Sequence, residues 1–256
     1  MILHAQWRGH HQSSKPVLVW LHGFLGNARD WQAVQSDFVD WPCLSVDLPG
    51  HGGSRAQQID GFPALCQRLS ATLQAHQVRR YWLIGYSLGG RIAMYYACRA
   101  ALAGLCGVVV EAGHPGLSNA CERQQRYEAD SEWAQRFRCA PLTQTLEAWY
   151  QQPLFAELTE KQRQRLIAER AEGYGPELAA MLEATSLSRQ PDLLSELRQL
   201  SVPLHYLCGE QDNKFKQLAQ RCTLPLTLIE AAGHNAHRAN PAAFARRLAP
   251  MLRQPV

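Results

Sequence analysis

One serine lies in a context that could make its hydroxyl reactive. Ser87 is the centre of Gly85-Tyr86-Ser87-Leu88-Gly89, between an apolar run and a helical pattern. Glycines two residues away on each side allow a sharp strand-to-helix turn, which would lift the hydroxyl above the end of the strand. An ordinary glycine-rich turn would look the same, so the motif needs partners before it predicts catalysis.

Asp212 and His234 are the candidate partners of Ser87. A serine hydroxyl becomes reactive when a histidine accepts its proton and a carboxylate orients that histidine. Each candidate follows a short apolar run that predicts a strand, so each is expected in a loop at a strand's carboxyl end. The sequence therefore predicts a catalytic triad of Ser87, Asp212 and His234, with Glu210 as the alternative acid.

Backbone amides near the serine could stabilise a developing oxyanion. The amide of Phe24, in the segment His22-Gly23-Phe24, and the amide of Leu88 are the predicted donors. The His22 side chain is expected to brace its loop, and His51 to pack within the Pro-Gly-His-Gly-Gly-Ser loop.

Short apolar runs alternate with helical patterns at both ends of the chain. This alternation predicts an α/β fold with a mostly parallel central sheet and helices on both faces. The predicted strands are Val17–Leu21, Cys43–Asp47, Tyr81–Gly85, Gly107–Glu111, Leu204–Cys208 and Leu226–Glu230. The predicted helices of this part are Phe62–Gln77, Leu88–Ala103, Lys214–Arg221 and Pro241–Leu252.

The middle of the chain has helical patterns and no convincing strand. The patterns cover Cys121–Phe137, Leu142–Tyr150, Glu160–Glu172, Glu177–Leu187 and Pro191–Leu197. We expect residues 118–200 to form a helical cap inserted into a core of residues 1–117 and 201–256. Such a cap would cover the carboxyl ends of the strands, where open α/β sheets bind ligands.

Composition excludes several classes of protein. The 256 residues are 46% hydrophobic, and 26 scattered basic residues against 22 acidic ones form no patch for nucleic acid. No apolar run is long enough for a bilayer, and no signal-peptide pattern opens the chain, so a cytoplasmic location is expected. The eight cysteines form no C-x-x-C pair, which favours reduced thiols over disulfides or a zinc site.

The motifs together resemble the α/β-hydrolase superfamily along essentially the whole chain. Within it, the chain resembles the family of 2-succinyl-6-hydroxy-2,4-cyclohexadiene-1-carboxylate synthases of menaquinone biosynthesis. Besides the serine motif, the segments that carry the narrower resemblance are His114-Pro115-Gly116-Leu117, Trp149-Tyr150-Gln151-Gln152-Pro153 and His234-Asn235-Ala236-His237-Arg238.

The resemblance implies a lyase that eliminates pyruvate from a cyclohexene bearing an enolpyruvyl ether, a carboxylate and a succinyl group. Ser87, deprotonated through His234 and Asp212, would be the base in place of a nucleophile. No metal or organic cofactor is expected. The expected partner is this small polycarboxylate, with no nucleic acid or membrane, and the oligomeric state is left open, a monomer being compatible.

The three carboxylates of such a substrate need cationic partners in the protein. Arginine suits this role because it can donate two parallel hydrogen bonds to one carboxylate. Arg91 lies four residues after Ser87 on the same predicted helix. The resemblance adds Arg126 and Arg170 on the cap, with Tyr86 and Trp149 as cavity walls. Because the cap segment is net acidic, its arginines could equally form pairs on helix surfaces, and the two aromatic residues could be core residues.

Two other functions use the same residues. An esterase or acyl-thioester hydrolase would use the triad through an acyl-enzyme on Ser87, and an apolar cap tunnel would favour it. A non-catalytic binder on the same fold would have no use for an intact triad. Arginines converging on Ser87 would favour the lyase.

Overall fold

Seven strands form one sheet in the computed structural model, which describes residues 1–9, 14–100 and 103–253. The strands are β1 (Ala5–Arg8), β2 (Val17–Leu21), β3 (Cys43–Val46), β4 (Tyr81–Tyr86), β5 (Leu105–Glu111), β6 (Leu204–Gly209) and β7 (Leu226–Ile229). Their order across the sheet is β1-β3-β2-β4-β5-β6-β7. Every pair is parallel except β1 with β3, so the carboxyl ends of six strands meet at one edge.

Helices cover both faces of this sheet. They are α1 (Gln32–Gln35), α2 (Phe62–Ala75), α3 (Leu88–Arg99), α9 (Asn213–Arg221), α10 (Ala236–Ala239) and α11 (Pro241–Met251). Residues such as Leu69, Ile92 and Leu218 pack on one face, and residues such as Trp31 and Phe244 pack on the other. The central strands are buried on both sides, which is why they read as continuous apolar runs.

The cap helices follow β5 and precede β6. They are α4 (Ala120–Cys139), α5 (Leu142–Trp149), α6 (Glu160–Arg170), α7 (Gly175–Ala184) and α8 (Leu194–Leu197). An apolar cluster that includes Phe137, Leu146 and Ile167 holds the helices from α4 to α7 together, and Leu25 of the core belongs to the same cluster. The short helix α8 packs instead, through Leu197, with the apolar core on one face of the sheet. The division into a core and a cap of residues 118–200 stays a prediction, and the helices between β5 and β6 run from Ala120 to Leu197.

The structure differs from the predicted elements at several points, and the short helices α1 and α10 were not predicted. β1 was not predicted, and it lies antiparallel at the edge of the sheet. The helix predicted over Leu88–Ala103 ends at Arg99, and residues 101 and 102 lie outside the described ones. The helix predicted over Glu177–Leu187 runs from Gly175 to Ala184 in the structure. Of the segment Pro191–Leu197, only the last four residues are helical. No helix of the described residues is long and apolar enough to cross a membrane.

Candidate active site

Ser87 occupies a strained turn between β4 and α3. Its backbone has φ 49° and ψ −107°, a left-handed φ that is unusual for a residue other than glycine. A side chain at Gly85 would overlap the backbone of Gly89, so the strand and helix approach each other this closely only because no Cβ is present. The Ser87 amide donates a 2.8 Å hydrogen bond to the carbonyl oxygen of Glu111, which fixes the turn against β5.

Asp212 and His234 form a buried hydrogen-bonded pair. The Oδ2 atom of Asp212 lies 2.7 Å from Nδ1 of His234, and the two side chains are only 3% and 2% exposed. The other oxygen, Oδ1, accepts the Phe215 amide at 3.1 Å and caps α9. The Phe215 ring stacks on the imidazole with centroids 4.9 Å apart. Both the orientation of the imidazole and its tautomer are therefore fixed by the carboxylate, as a triad requires.

Glu210, the alternative acid, is exposed, and its amide donates to the Ile229 carbonyl oxygen. No hydrogen bond joins the Glu210 side chain to His234 within the described residues, whereas Asp212 makes one. The geometry therefore favours Asp212 as the acid.

One cavity collects most of the predicted site residues. Its volume is about 530 Å³, and core and cap residues both line it. The predicted residues on its walls are Phe24, Tyr86, Ser87, Leu88, Arg91, Arg126, Trp149, Asp212 and His234. Their roles as base, acid, donors and substrate contacts stay predictions, but the fold brings all nine to one place.

The two predicted oxyanion donors border this cavity. Leu88 is the first residue of α3, so its N–H precedes any intrahelical acceptor. The Phe24 N–H donates to no other backbone group of the described residues. Both amides are thus available to an oxygen bound beside Ser87.

Aromatic side chains form the walls of the cavity on both sides. Tyr86 is buried, and its ring centroid lies 5.3 Å from that of His234. Burial and the charge of Glu111 raise the Tyr86 pKa well above its usual value, so the phenol stays protonated. The ring centroids of Trp149 in the cap and Phe24 in the core lie 5.2 Å apart. This contact joins the cap to the oxyanion loop, residues 22–27 after β2, which carries the Phe24 amide.

Arg91 and Arg126 reach the cavity with part of their donors already used. Arg91 donates from Nε to Oε1 of Gln190 at 2.7 Å and from Nη2 to the Thr185 carbonyl oxygen at 2.6 Å. Arg126 donates from Nε to the Asp130 carboxylate at 2.8 Å. The remaining guanidinium N–H groups are the ones that could face a carboxylate.

The prediction that Arg170 shares this cavity is wrong. Arg170 lines a different cavity of about 330 Å³, on the other side of the oxyanion loop. Its Nη2 donates to both oxygens of Asp30, at 2.7 and 2.8 Å, and both side chains are 6% exposed. Asp30 lies in the short 3-10 turn Ala28–Trp31 of the core, so this arginine attaches the cap to the core.

The loop histidines have the bracing roles that the sequence predicts. The His22 ring accepts the Leu48 amide at 2.9 Å, and the His51 ring accepts the Leu25 amide at 3.0 Å. Burial lowers the pKa of both, that of His51 to about 3, so both rings are neutral. Neutral rings that accept amides hold the oxyanion loop against the loop after β3.

Sequence reasoning missed two cavity residues that touch or flank the triad. Glu157 of the cap accepts the backbone N–H of His234 at 2.9 Å through its Oε1 atom. Lys214 lies on the cavity wall two residues after Asp212. The position of Lys214 at the start of the helix that follows Asp212 could have predicted its place on the cavity wall. Nothing in the sequence around Glu157 indicates a contact with His234.

Glu111 and His237 form a second buried carboxylate–histidine pair next to the site. Glu111 accepts the His237 backbone N–H at 3.1 Å through Oε1, and its Oε2 lies 2.8 Å from Nδ1 of the same residue. Since the Glu111 carbonyl oxygen also holds the Ser87 amide, one residue connects the serine turn to the loop that carries His234. Among the described residues, no group of three His, Cys, Asp or Glu side chains could hold a metal ion.

Comparison with known proteins places this geometry in a family. The model of the Alpha/beta hydrolase family matches residues 18–247. A 2-succinyl-6-hydroxy-2,4-cyclohexadiene-1-carboxylate synthase of Yersinia pseudotuberculosis serotype O:1b (strain IP 31758) is 54% identical over 244 residues. That alignment covers 95% of this chain and 90% of the relative. The protein of the same name from Yersinia pestis has the same identity and coverage.

Solved structures agree with the sequence relatives. The structure of MenH from S. aureus has a TM-score of 0.90 and 27% identity, with 97% of each chain covered. The enol-lactonase from Burkholderia xenovorans LB400 has a TM-score of 0.80 at 18% identity, covering 98% of this chain and 96% of its own. The second likeness extends to the fold alone, and both confirm the predicted α/β-hydrolase fold.

Proposed function

We propose that this chain is a pyruvate-eliminating lyase. The premise is that it belongs to the alpha/beta hydrolase family and, within it, to the 2-succinyl-6-hydroxy-2,4-cyclohexadiene-1-carboxylate synthases. Its substrate is 2-succinyl-5-enolpyruvyl-6-hydroxy-3-cyclohexene-1-carboxylate. The observation that carries the proposal is one cavity that joins Ser87, the Asp212-bound His234 and the cations Arg91 and Arg126. An esterase for neutral substrates has no need of those cations.

The reaction begins with removal of the ring proton next to the succinyl ketone. Ser87 passes its hydroxyl proton to His234, whose charged form Asp212 stabilises, and the serine oxygen takes the ring proton. The electron pair of the broken C–H bond moves onto the ketone oxygen as an enolate. The free amides of Phe24 and Leu88 are the groups that stabilise this negative charge.

Collapse of the enolate completes the elimination. The electron pair returns to the ring, the ring double bond shifts by one position, and the bond to the enolpyruvyl oxygen breaks. The departing enolpyruvate takes a proton, for which His234 is the available acid, and tautomerises to pyruvate. The ring is left as the 2,4-diene, and Ser87 forms no covalent bond to the substrate at any step.

Partners and location belong to the same proposal. The partner is this small polycarboxylate, with no nucleic acid and no membrane. All eight cysteines are free thiols, which fits the reducing cytoplasm expected from the sequence.

The test is to measure pyruvate release from the enolpyruvyl substrate beside hydrolysis of a neutral ester. The lyase requires that pyruvate release by the wild-type protein exceed ester hydrolysis in kcat/KM. It also requires that mass spectrometry find Ser87 unmodified during turnover. Ester hydrolysis through a trapped acyl-Ser87, with no pyruvate release, would replace the lyase by the hydrolase. If neither compound is turned over, the non-catalytic binder becomes the favoured function.

A further inference from the structure

Lys214 differs from Arg91 and Arg126, the guanidinium cations of the Ser87 cavity, because its ammonium makes no hydrogen bond or ion pair within the described residues. Arg126 is paired with Asp130, and Arg91 donates two hydrogen bonds to the cap. No carboxylate of the described residues lies within ion-pair distance of the Lys214 ammonium. The ammonium nitrogen lies 5.7 Å from the centroid of the Phe215 ring.

The two carboxylates that share the cavity with Lys214 are already engaged. Asp212 is hydrogen-bonded to His234, and Glu157 accepts the His234 amide. The ammonium group therefore faces a cavity whose own anions have other partners.

The surroundings of Lys214 disfavour its positive charge. Lys214 is exposed at the cavity mouth, yet the surrounding protein partly desolvates the ammonium and lowers its pKa. The positive charge of Arg126 lowers the pKa further, and the negative charge of Asp212 offsets only part of this decrease. Two cations held near each other at the mouth of one cavity repel each other in the absence of an anion. A bound carboxylate would relieve both the repulsion and the missing pairing.

We propose that Lys214 and Arg126 together form a carboxylate subsite at the mouth of the Ser87 cavity, one cation from the core helix α9 and one from the cap helix α4. This inference rests on the proposed function, because a substrate with three carboxylates needs a further cation in this cavity, whereas Arg170 lines another cavity and is paired with Asp30. A lysine suits the position because its ammonium is a point charge on a flexible stem, able to follow a carboxylate that enters from solvent.

The experiment compares Lys214→Ala with Lys216→Ala. Lys216 lies on the same helix two residues later, is not on the cavity wall, and donates to the Glu210 carbonyl oxygen at 3.0 Å. We expect Lys214→Ala to raise the KM for the enolpyruvyl substrate about tenfold, the effect of one lost charge-assisted contact. The kcat should stay within about threefold because the triad is untouched. Lys214→Arg should restore most of the affinity, and Lys216→Ala should behave as the wild type.

Succinate titrated by calorimetry at low salt separates this proposal from the lyase proposal. Absence of pyruvate release from the wild type would overturn the lyase. The subsite would still stand if succinate binds the wild type and binds Lys214→Ala several-fold more weakly. The subsite is overturned if Lys214→Ala matches Lys216→Ala in both KM and succinate affinity, since Lys214 would then be an ordinary solvated surface cation.

Discussion

Asp30 joins three parts of the molecule with one buried carboxylate. Its two oxygens accept hydrogen bonds from Arg170 of the cap helix α6, and Oδ1 also accepts one from Arg238 at 2.9 Å. Arg238 belongs to α10, directly after the loop that carries His234. Removing this carboxylate therefore tests whether buried ion pairs hold the cap and that loop to the core.

The expected losses of stability are unequal for the two partners. Asp30→Ala leaves Arg170, 6% exposed, without its acidic partner, and breaking a buried pair from one side costs about 3–5 kcal/mol. Arg170→Met leaves Asp30 paired with Arg238 and fills the space with an apolar chain, so we expect a loss of about 1–3 kcal/mol. The double variant Asp30→Ala/Arg170→Met should be more stable than Asp30→Ala alone, because the buried unpaired charge is gone.

Urea unfolding followed by the fluorescence of the seven tryptophans measures these differences. In thermal unfolding of a chain of this size, the same loss for Asp30→Ala lowers the midpoint temperature by roughly 6–20 °C. Arg165→Ala is the matched control, because its pair with Glu169 lies on an exposed helix face and should contribute at most about 1 kcal/mol. The reasoning is refuted if Asp30→Ala lies within about 1 kcal/mol of the wild type, or if the double variant loses the sum of the two single losses.

Three further predictions concern pH, the serine and the second histidine pair. Burial alone would raise the Asp30 pKa, but Arg170 and Arg238 bring it below the usual 3.8. The stability that Asp30 contributes is therefore complete above that pH and lost as the pH falls through the lower folded-state pKa. Unfolding of wild type and Asp30→Asn should differ more at about pH 6 than at about pH 2, and an equal difference at both would contradict this. Ser87→Ala should lower pyruvate elimination by about 10²–10⁴, measured as kcat, with no adduct on Ser87 in the wild type; a loss below about tenfold would remove Ser87 as the base. Glu111→Gln should cost about 1.5–3 kcal/mol in urea unfolding because it removes the charge that bonds the His237 ring, and an unchanged midpoint would show that the pair contributes nothing.

The buried strands and long helices could be predicted because their patterns are local. Strands such as Val17–Leu21 are buried on both faces, and the sequence shows them as uninterrupted apolar runs. The edge strand Ala5–Arg8 shows no such run, since Gln6 and Arg8 face partly to solvent and only pairing with β3 orders it. The short helix Gln32–Gln35 is likewise too brief to give a periodic pattern.

The meeting of Ser87, Asp212 and His234 at one cavity could be predicted because parallel strands end at a common edge. Ser87, Asp212 and His234 each follow a strand, so the order of elements alone brings them to one side of the sheet. The comparisons confirm the family and the fold that the resemblance implied. Arg170 could not be placed this way, because its direction depends on how α6 packs and on Asp30, a residue 140 positions away.

Core and cap contribute different parts of the cavity, and this division has consequences for the chemistry. The triad and the two free amides all come from the core, where the sheet edge fixes them through contacts such as Ser87 to Glu111 and Asp212 to His234. Arg126 and Trp149 come from the cap, which packs on the core through Leu25 and Phe24 and is tied to it by the Arg170–Asp30 pair. One cap residue breaks this division. The Glu157 carboxylate accepts the His234 amide, and this contact, beside the pair of Glu169 with Arg238, joins the seating of the cap to the orientation of the histidine loop. Because Arg126, Trp149 and Glu157 all belong to the cap, a change in how the cap sits would alter the cation, the aromatic wall and the His234 contact together.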